Sequence, residues 1–352
     1  MTVMVVRPSG PGDLDQVFGL AKRAGTGMTN LPPDRDTLAA RIDESRASFA
    51  AETSEPGAET YLFVLEDTDT GAIAGTSGIY ARIGFGKPFY SYKILQVTQI
   101  SHELDITVTS RLLHLVNDFT GCTEIGMLFL DPDYRKDGNG RLLGMTRFLM
   151  MAEFPERFAE LVMAEMRGWF DEKGRSPFWE GLGKHFFGMA FPKVDYMSAV
   201  SNNQFISDLM PKYPIYIDLL APEAQAVIGK PHTETRPALE LLRKEGFRYQ
   251  EYVDIFDAGP AVQVRLQDIR TVRDSRKRPI RELHQPADME RSGDFEYHYV
   301  ANCRLPDFSV CRALLRVNDD GAVGLCEEAA NALKVAPGDP VRFVSTSTSS
   351  NK

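Results

Sequence analysis

The sequence predicts an α/β (α+β) chain: a mixed sheet flanked by helices, with a small β-rich domain at the C-terminal end. Three observations carry this. Two apolar runs, Tyr61-Leu62-Phe63-Val64-Leu65 and Ala72-Ile73-Ala74-Gly75-Thr76, flank the turn-forming Asp67-Thr68-Asp69-Thr70-Gly71, which is hairpin spacing. From Ile125 onward, strand-like runs alternate with helical periods, the pattern of a partly parallel sheet with helices on its faces. Beyond Asp257-Ala258-Gly259-Pro260, charge runs such as Arg273-Asp274-Ser275-Arg276-Lys277-Arg278 separate short β-like segments. The expected division is therefore residues 1–260 and 261–352, with an insertion at about 84–120 in the first part.

In chain order, Met4-Val5-Val6-Arg7 reads as a short buried strand ended by Pro8 and Gly10. Leu14, Val17, Phe18 and Ala21 have helical spacing over Asp13–Ala24, and a glycine loop, Gly25-Thr26-Gly27, follows. Pro32-Pro33-Asp34 opens a second helix through Leu38 and Ile42. The strand after the hairpin turn is expected to continue to about Ile83. Residues 84–120 mix aromatic and polar residues without a firm period, so they read as an insertion carrying one or two strands. Ile125–Leu130 is a buried strand, and Leu142, Leu143, Met145, Phe148 and Leu149 form the inward face of an amphipathic helix. Leu161–Met166 is the next strand. Ser176-Pro177 is an N-cap with proline at the first helical position, starting a helix with Phe178, Leu182 and Phe186 inward. A helix over Pro237–Glu245, with Glu240 and Lys244 at i, i+4, leads into a strand over Tyr249–Phe256. The end, Ser345–Lys352, is expected to fray.

Composition narrows the function. With 43% hydrophobic and 25% charged residues in 352, a large core forms without metals or disulfides. A net charge of -9 argues against nonspecific binding to nucleic acid or to an anionic membrane. Cys122, Cys303, Cys311 and Cys326 include no CxxC pair, and the six histidines show no HxxxH or HExxH spacing, so no metal site is expected. The start lacks a basic-then-apolar leader and no apolar run is long enough to span a bilayer, which together predict a soluble cytoplasmic protein.

The segment richest in chemistry is Arg135-Lys136-Asp137-Gly138-Asn139-Gly140, between a strand and a helix. Glycines let the backbone approach a ligand closely, and a helix start offers unpaired N–H groups and partial positive charge to a pyrophosphate. Arg135 and Lys136 add cationic donors. There is neither the G-x-G-x-x-G of a dinucleotide site nor the Gly-Lys-Ser/Thr of a Walker loop.

The Arg-x-x-Gly-x-Gly run resembles the acyl-CoA loop of the GCN5-related N-acetyltransferase (GNAT) superfamily, and the strand at Leu161 and the helix at Phe178 fall where that fold would place its fifth strand and fourth helix. Longer blocks resemble the arginine N-succinyltransferase family over roughly residues 1–275. They include Leu128–Lys136, Ala164-Glu165-Met166-Arg167-Gly168, Ser176-Pro177-Phe178-Trp179, Leu209-Met210-Pro211-Lys212, Lys244-Glu245-Gly246-Phe247 and Asp254–Pro260. The resemblance implies succinyl transfer from succinyl-CoA to the α-amino group of L-arginine, with Leu128 contacting the cofactor and His232 as proton donor. Arg135, Lys136, Gly138 and Gly140 would complete the cofactor contacts. It also implies a homo-oligomer, or a hetero-oligomer with a homologous subunit. Two departures, Met127 in place of a small hydroxylated residue and Phe89-Tyr90-Ser91-Tyr92-Lys93, bear on substrate preference. The alternatives are a GNAT acetyltransferase acting on another amine, an ornithine-preferring subunit, and a CoA-binding partner without activity.

Such a reaction needs a deprotonated amine, a stabilised oxyanion and a proton for the departing thiolate. Backbone N–H groups near Leu128 are placed for the oxyanion. His232 lies in a polar loop and changes charge near neutral pH. Glu165 and Arg167, two apart on one strand, share a face; they form either a structural ion pair or binding groups for arginine and for a carboxylate. Asp254 and Asp257 are further candidates for the guanidinium.

Overall fold

The computed structural model describes residues 3–25 and 28–347, so Thr26 and Gly27 of the glycine loop and residues 348–352 of the tail lie outside it. The first half builds β1 (Met4–Pro8), α1 (Leu14–Ala24), α2 (Arg35–Ala50), β2 (Thr60–Asp67), β3 (Ile73–Tyr80), β4 (Ser91–Ser101), β5 (Ile106–Val116), β6 (Thr123–Leu130), α3 (Asn139–Glu153) and β7 (Leu161–Glu165). Then come β8 (Ile215–Tyr216), β9 (Arg248–Asp254), β10 (Pro260–Arg265), β11 (Arg276–His284), β12 (Glu296–Asn302), β13 (Val310–Val317), β14 (Val323–Cys326) and β15 (Pro340–Ser345). Local chemistry sets several boundaries. Asp34 caps α2 by accepting from Thr37 N at 2.9 Å. At the β2–β3 turn, Asp67 Oδ1 accepts from Asp69 N and Gly71 takes φ 71°.

The strands form one 15-stranded sheet in the order β12-β15-β11-β14-β13-β1-β2-β3-β6-β7-β10-β9-β4-β5-β8. An additional β12–β13 pairing closes the first five into a small barrel, which removes their free edges. Strand β10 pairs with both β7 and β9, so Pro260–Arg265 lies in the middle of the main sheet. The division expected at residue 261 is thus displaced: the barrel begins at β11. The charge run that suggested the change of character sits at its start.

Because side chains alternate along a strand, the main sheet has two apolar faces. Val64 packs with Val17, Leu20 and Leu38 of α1 and α2 on one face. Phe63 and Leu65 pack with Leu142 and Phe148 of α3 on the other, together with Leu239 and Leu242 of the helix Arg236–Lys244. An amphipathic α3 was expected, but every residue from Leu142 to Met151 is buried. The reason is tertiary: the barrel residues Tyr299, Val310 and Val344 join the same core and cover the face that would otherwise meet solvent.

The barrel also grips α3 at both ends. Arg312 donates to Asp137 O in the loop before the helix at 3.1 Å. At the other end, the buried Glu153 carboxylate meets Lys277 and, at 2.7 Å, Arg342. A carboxylate at a helix C-terminus is unfavourable to the helix dipole, and these two cations offset it.

Other elements depart from the sequence reading. The insertion at 84–120 is a hairpin of two 11-residue strands whose outer half is exposed, with Ile100, Leu104, Ile106 and Val108 open to solvent. The helix after Ser176 contains a π-turn over Trp179–Gly183, where a Cβ on Gly183 would stand 2.3 Å from the Trp179 ring. The wider turn shifts the inward face by one residue, so Phe187 is buried and Phe186 exposed. It is the helix Arg236–Lys244, not the one at Phe178, that covers the main sheet after β7, and in it Glu240 pairs with Arg243 rather than Lys244.

Two substitutions test this architecture. Glu153→Ala should cost about 2 kcal/mol in urea unfolding, below the value for a fully buried pair because Lys277 is half exposed. Gly259→Ala should cost roughly 3 kcal/mol or more in thermal unfolding, because its Cβ would lie 1.9 Å from Met166 O and 2.6 Å from Gly168 N, both immovable backbone atoms.

Candidate active site

The site arises where two neighbouring strands part. β6 and β7 run parallel but pair only at Thr123↔Val162 and Glu124↔Met163. Beyond Glu124, β6 follows β3, with a bulge at which Met127 and Leu128 together oppose Ser77. Met127 sits at φ 53°, and Thr76 Oγ1 donates to its carbonyl at 2.8 Å. The end of β7 is drawn the other way, toward the turn between β9 and β10. There Asp257 accepts from Gly168 N at 2.7 Å and from Gly259 N at 2.8 Å, while Asp254 accepts from Phe256 N and Asp257 N. The edge of β6 facing the gap therefore has no neighbouring strand at Leu128.

The gap opens into a cavity of about 420 Å³, lined among others by Glu124, Leu128, Arg147, Glu165, Arg167, Asp254 and Asp257. Its acids are held unusually. Glu124 is buried, accepts from Asn30 Nδ2 at 3.0 Å, and is pushed up to about 7 by burial, against the opposing pull of that bond and of Arg41. Glu165 lies well above the usual carboxylate range because it is buried, with Asp254, Glu124 and Asp257 adding repulsion. Asp254 and Asp257 are also raised by burial. On the cationic side, burial lowers Arg147 to about 10, and burial beside Arg41 lowers Lys87 to about 8.

The two residues read as a possible ion pair do not form one. Glu165 Oε1 and Arg167 Nε are both buried without a partner among the described residues, and the Arg167 guanidinium stands 4.9 Å from the centre of the Phe170 ring. Asp254 and Asp257 line the cavity, but Asp254 Oδ1 and both oxygens of Asp257 accept from backbone amides.

The glycine loop lies outside the cavity lining. A single turn at Pro132–Tyr134 carries the chain to Asp137 (φ 53°) and Gly138 (φ 82°), conformations that start α3. Arg135, Lys136, Gly138 and Gly140 are exposed. Arg135 Nε donates to Leu130 O at 3.2 Å, and Asn139 Nδ2 donates to Tyr134 O at 3.1 Å, so the loop is braced from within. Of the predicted cofactor residues, Leu128 alone lines the cavity.

His232 stands at the rim, also outside the lining. Its N–H donates to Arg167 O at 2.8 Å, Thr235 beside it lines the cavity, and its ring lies edge-on to Phe170. Nδ1 accepts from Glu234 N at 3.3 Å, which assigns the neutral ring proton to Nε2. Partial burial and then Arg167 depress its pKa, with Glu234 opposing. Sequence reading missed Glu124 and Arg147. The available signal was a lone charge inside an otherwise apolar strand or helix run.

A family model described as the arginine N-succinyltransferase beta subunit matches residues 4–271, and one for the C-terminal domain of the same subunit matches residues 276–345. Arginine N-succinyltransferase of Yersinia pestis (strain Pestoides F) is 43% identical over 344 residues, covering 97% of this chain and 98% of its own. The enzyme of the same name from Enterobacter sp. (strain 638) is 44% identical over 344 residues, covering 97% of each chain. The solved structure of arginine/ornithine succinyltransferase subunit AI from Pseudomonas aeruginosa superposes with a TM-score of 0.89 at 35% identity, covering 99% of this chain and 100% of that one. The chain belongs to the arginine N-succinyltransferase family.

Proposed function

We propose that this CoA-dependent N-acyltransferase moves succinyl from succinyl-CoA to the α-amino group of L-arginine in the cytoplasm, the opening step of an ammonia-producing route of arginine breakdown. One observation carries the reading: where β6 and β7 part, Leu128 on the strand that leads to the glycine loop lines the same cavity as Glu124, Glu165, Asp254 and Asp257. An anionic cofactor suits the glycine loop at a helix start and a cationic acceptor the buried acids.

In this reading the CoA pyrophosphate sits at the start of α3, where the amides of Asp137, Gly138 and Gly140 have no partner among the described residues. Arg135 and Lys136 supply cationic donors. Leu128 lies beside the thioester, where the unpaired edge of β6 offers backbone N–H to the oxyanion. The free amine attacks the thioester carbon, the tetrahedral intermediate collapses with cleavage of the C–S bond, and the proton the amine sheds ends on the sulfur, giving the amide and CoA–SH. His232 presents Nε2–H to the departing sulfur. Arg167, with an unpartnered Nε, is the group for a carboxylate of succinyl or arginine. The exposed apolar tip of the β4–β5 hairpin supports assembly, as a homo-oligomer or with a homologous subunit, because an isolated two-stranded arm is marginally stable. Among the described residues no helix is long and apolar enough to cross a membrane, and no group of His, Cys, Asp or Glu is arranged to hold a metal.

A thiol-release assay over succinyl-CoA and acetyl-CoA, with arginine, ornithine and lysine, should give the highest kcat/KM for succinyl-CoA with arginine. A large preference for acetyl-CoA would overturn the acyl assignment. His232→Ala should lower kcat by about 10²- to 10⁴-fold, and unchanged turnover would remove it from the mechanism. Arg312→Ala, which frees the loop at Asp137, should raise KM for succinyl-CoA several-fold while leaving KM for arginine unchanged.

A further inference from the structure

We infer that Glu165 is the specificity-determining carboxylate of the acceptor, receiving the cationic end of its side chain. This rests on the acceptor assignment above and adds the residue that reads it.

The placement follows from strand alternation. Ala164 and Met166 pack into the core that contains α3 and the helix Arg236–Lys244. Glu165, between them, must point to the opposite face of β7. On β6, Ile125 packs toward α3, so Glu124 points the same way as Glu165. The Asn30 bond confirms this, since Asn30 lies between α1 and α2 on the face away from the cofactor helix. Leu128, by contrast, packs against the α3 side. Cofactor side and acid side thus lie on opposite faces of one sheet and meet only through the gap.

Glu165 differs from its acidic neighbours in what its oxygens do. Glu124 Oε1 accepts from Asn30, Asp254 Oδ1 accepts from Phe256 N and Asp257 N in the β9–β10 turn, and Asp257 accepts from Gly168 N beyond β7 with one oxygen and from Gly259 N with the other. Among the described residues, Glu165 Oε1 is buried with no hydrogen-bond partner and Glu165 makes no ion pair. It lines the cavity. A buried carboxylate without a hydrogen-bond partner costs several kcal/mol, and a protein keeps one where a ligand supplies the missing donors. A guanidinium supplies planar N–H donors and a positive charge together, in the geometry a carboxylate accepts best. The three other acids lining this part of the cavity add attraction for a cation and penalise a neutral isostere.

The test uses the full chain and L-citrulline, whose ureido group matches the shape of the guanidinium without its charge. Wild type should prefer arginine to citrulline strongly in kcat/KM. Glu165→Gln should raise KM for arginine roughly 10- to 100-fold and narrow the arginine/citrulline ratio by a similar factor, with KM for succinyl-CoA unchanged. Without ligands, Glu165→Gln should melt at the same or a higher temperature, since Gln keeps the size of the side chain and Glu165 Oε1 has no hydrogen bond among the described residues to lose. A ratio unchanged from wild type, or a melting temperature lowered by several degrees, would overturn the assignment in favour of a structural role. Should wild type fail to acylate arginine with any acyl-CoA, the transfer reading falls. Calorimetric binding of arginine against citrulline to wild type and Glu165→Gln then still decides the role of Glu165.

Discussion

The architecture depends on one constraint: two parallel strands that begin paired and cannot remain so. After Glu124, β6 is committed to β3 by the bulge at Met127, while the end of β7 is committed to the β9–β10 turn by Asp257 and the close approach of Gly168 and Gly259. Together these two commitments force a wedge into the middle of a continuous sheet, which exposes a strand edge and opens a cavity. Every functional group described here is placed relative to that wedge.

The wedge also explains why the acids have unusual proton affinities. A carboxylate on an outer strand would be solvated, but one at the root of a wedge is dry before any substrate arrives. Burial dominates for Glu124 and for Glu165.

Much of this was legible in sequence. The hairpin at Asp67–Gly71, the capped start of α2 and the glycine loop before α3 follow from local turn and capping chemistry, and each formed as read. The failures share a cause. The burial of α3 on all sides, the shifted face at Phe187 and the membership of Pro260–Arg265 in the main sheet are decided by partners far away in the chain. The site divides the same way. The loop is a contiguous motif and could be read, and Glu165 was recognised as a candidate from its spacing. That Glu165 lacks a partner, and that Glu124 joins it, depends on strands brought together only by the fold.

The grip of the barrel on α3 has a consequence for how the chain is made. The helix that would receive the cofactor lies before residue 154, yet its outer face, the charge at Glu153 and the loop at Asp137 are completed by residues as late as Arg342 and Val344. A ribosome emits the whole α3 side of the catalytic sheet long before it emits those partners. Until then the nascent chain carries an uncovered apolar helix and an acid at the wrong end of it. The loop at Asp137 and the acid at Glu153 thus wait for partners 175 and 189 residues further along the chain.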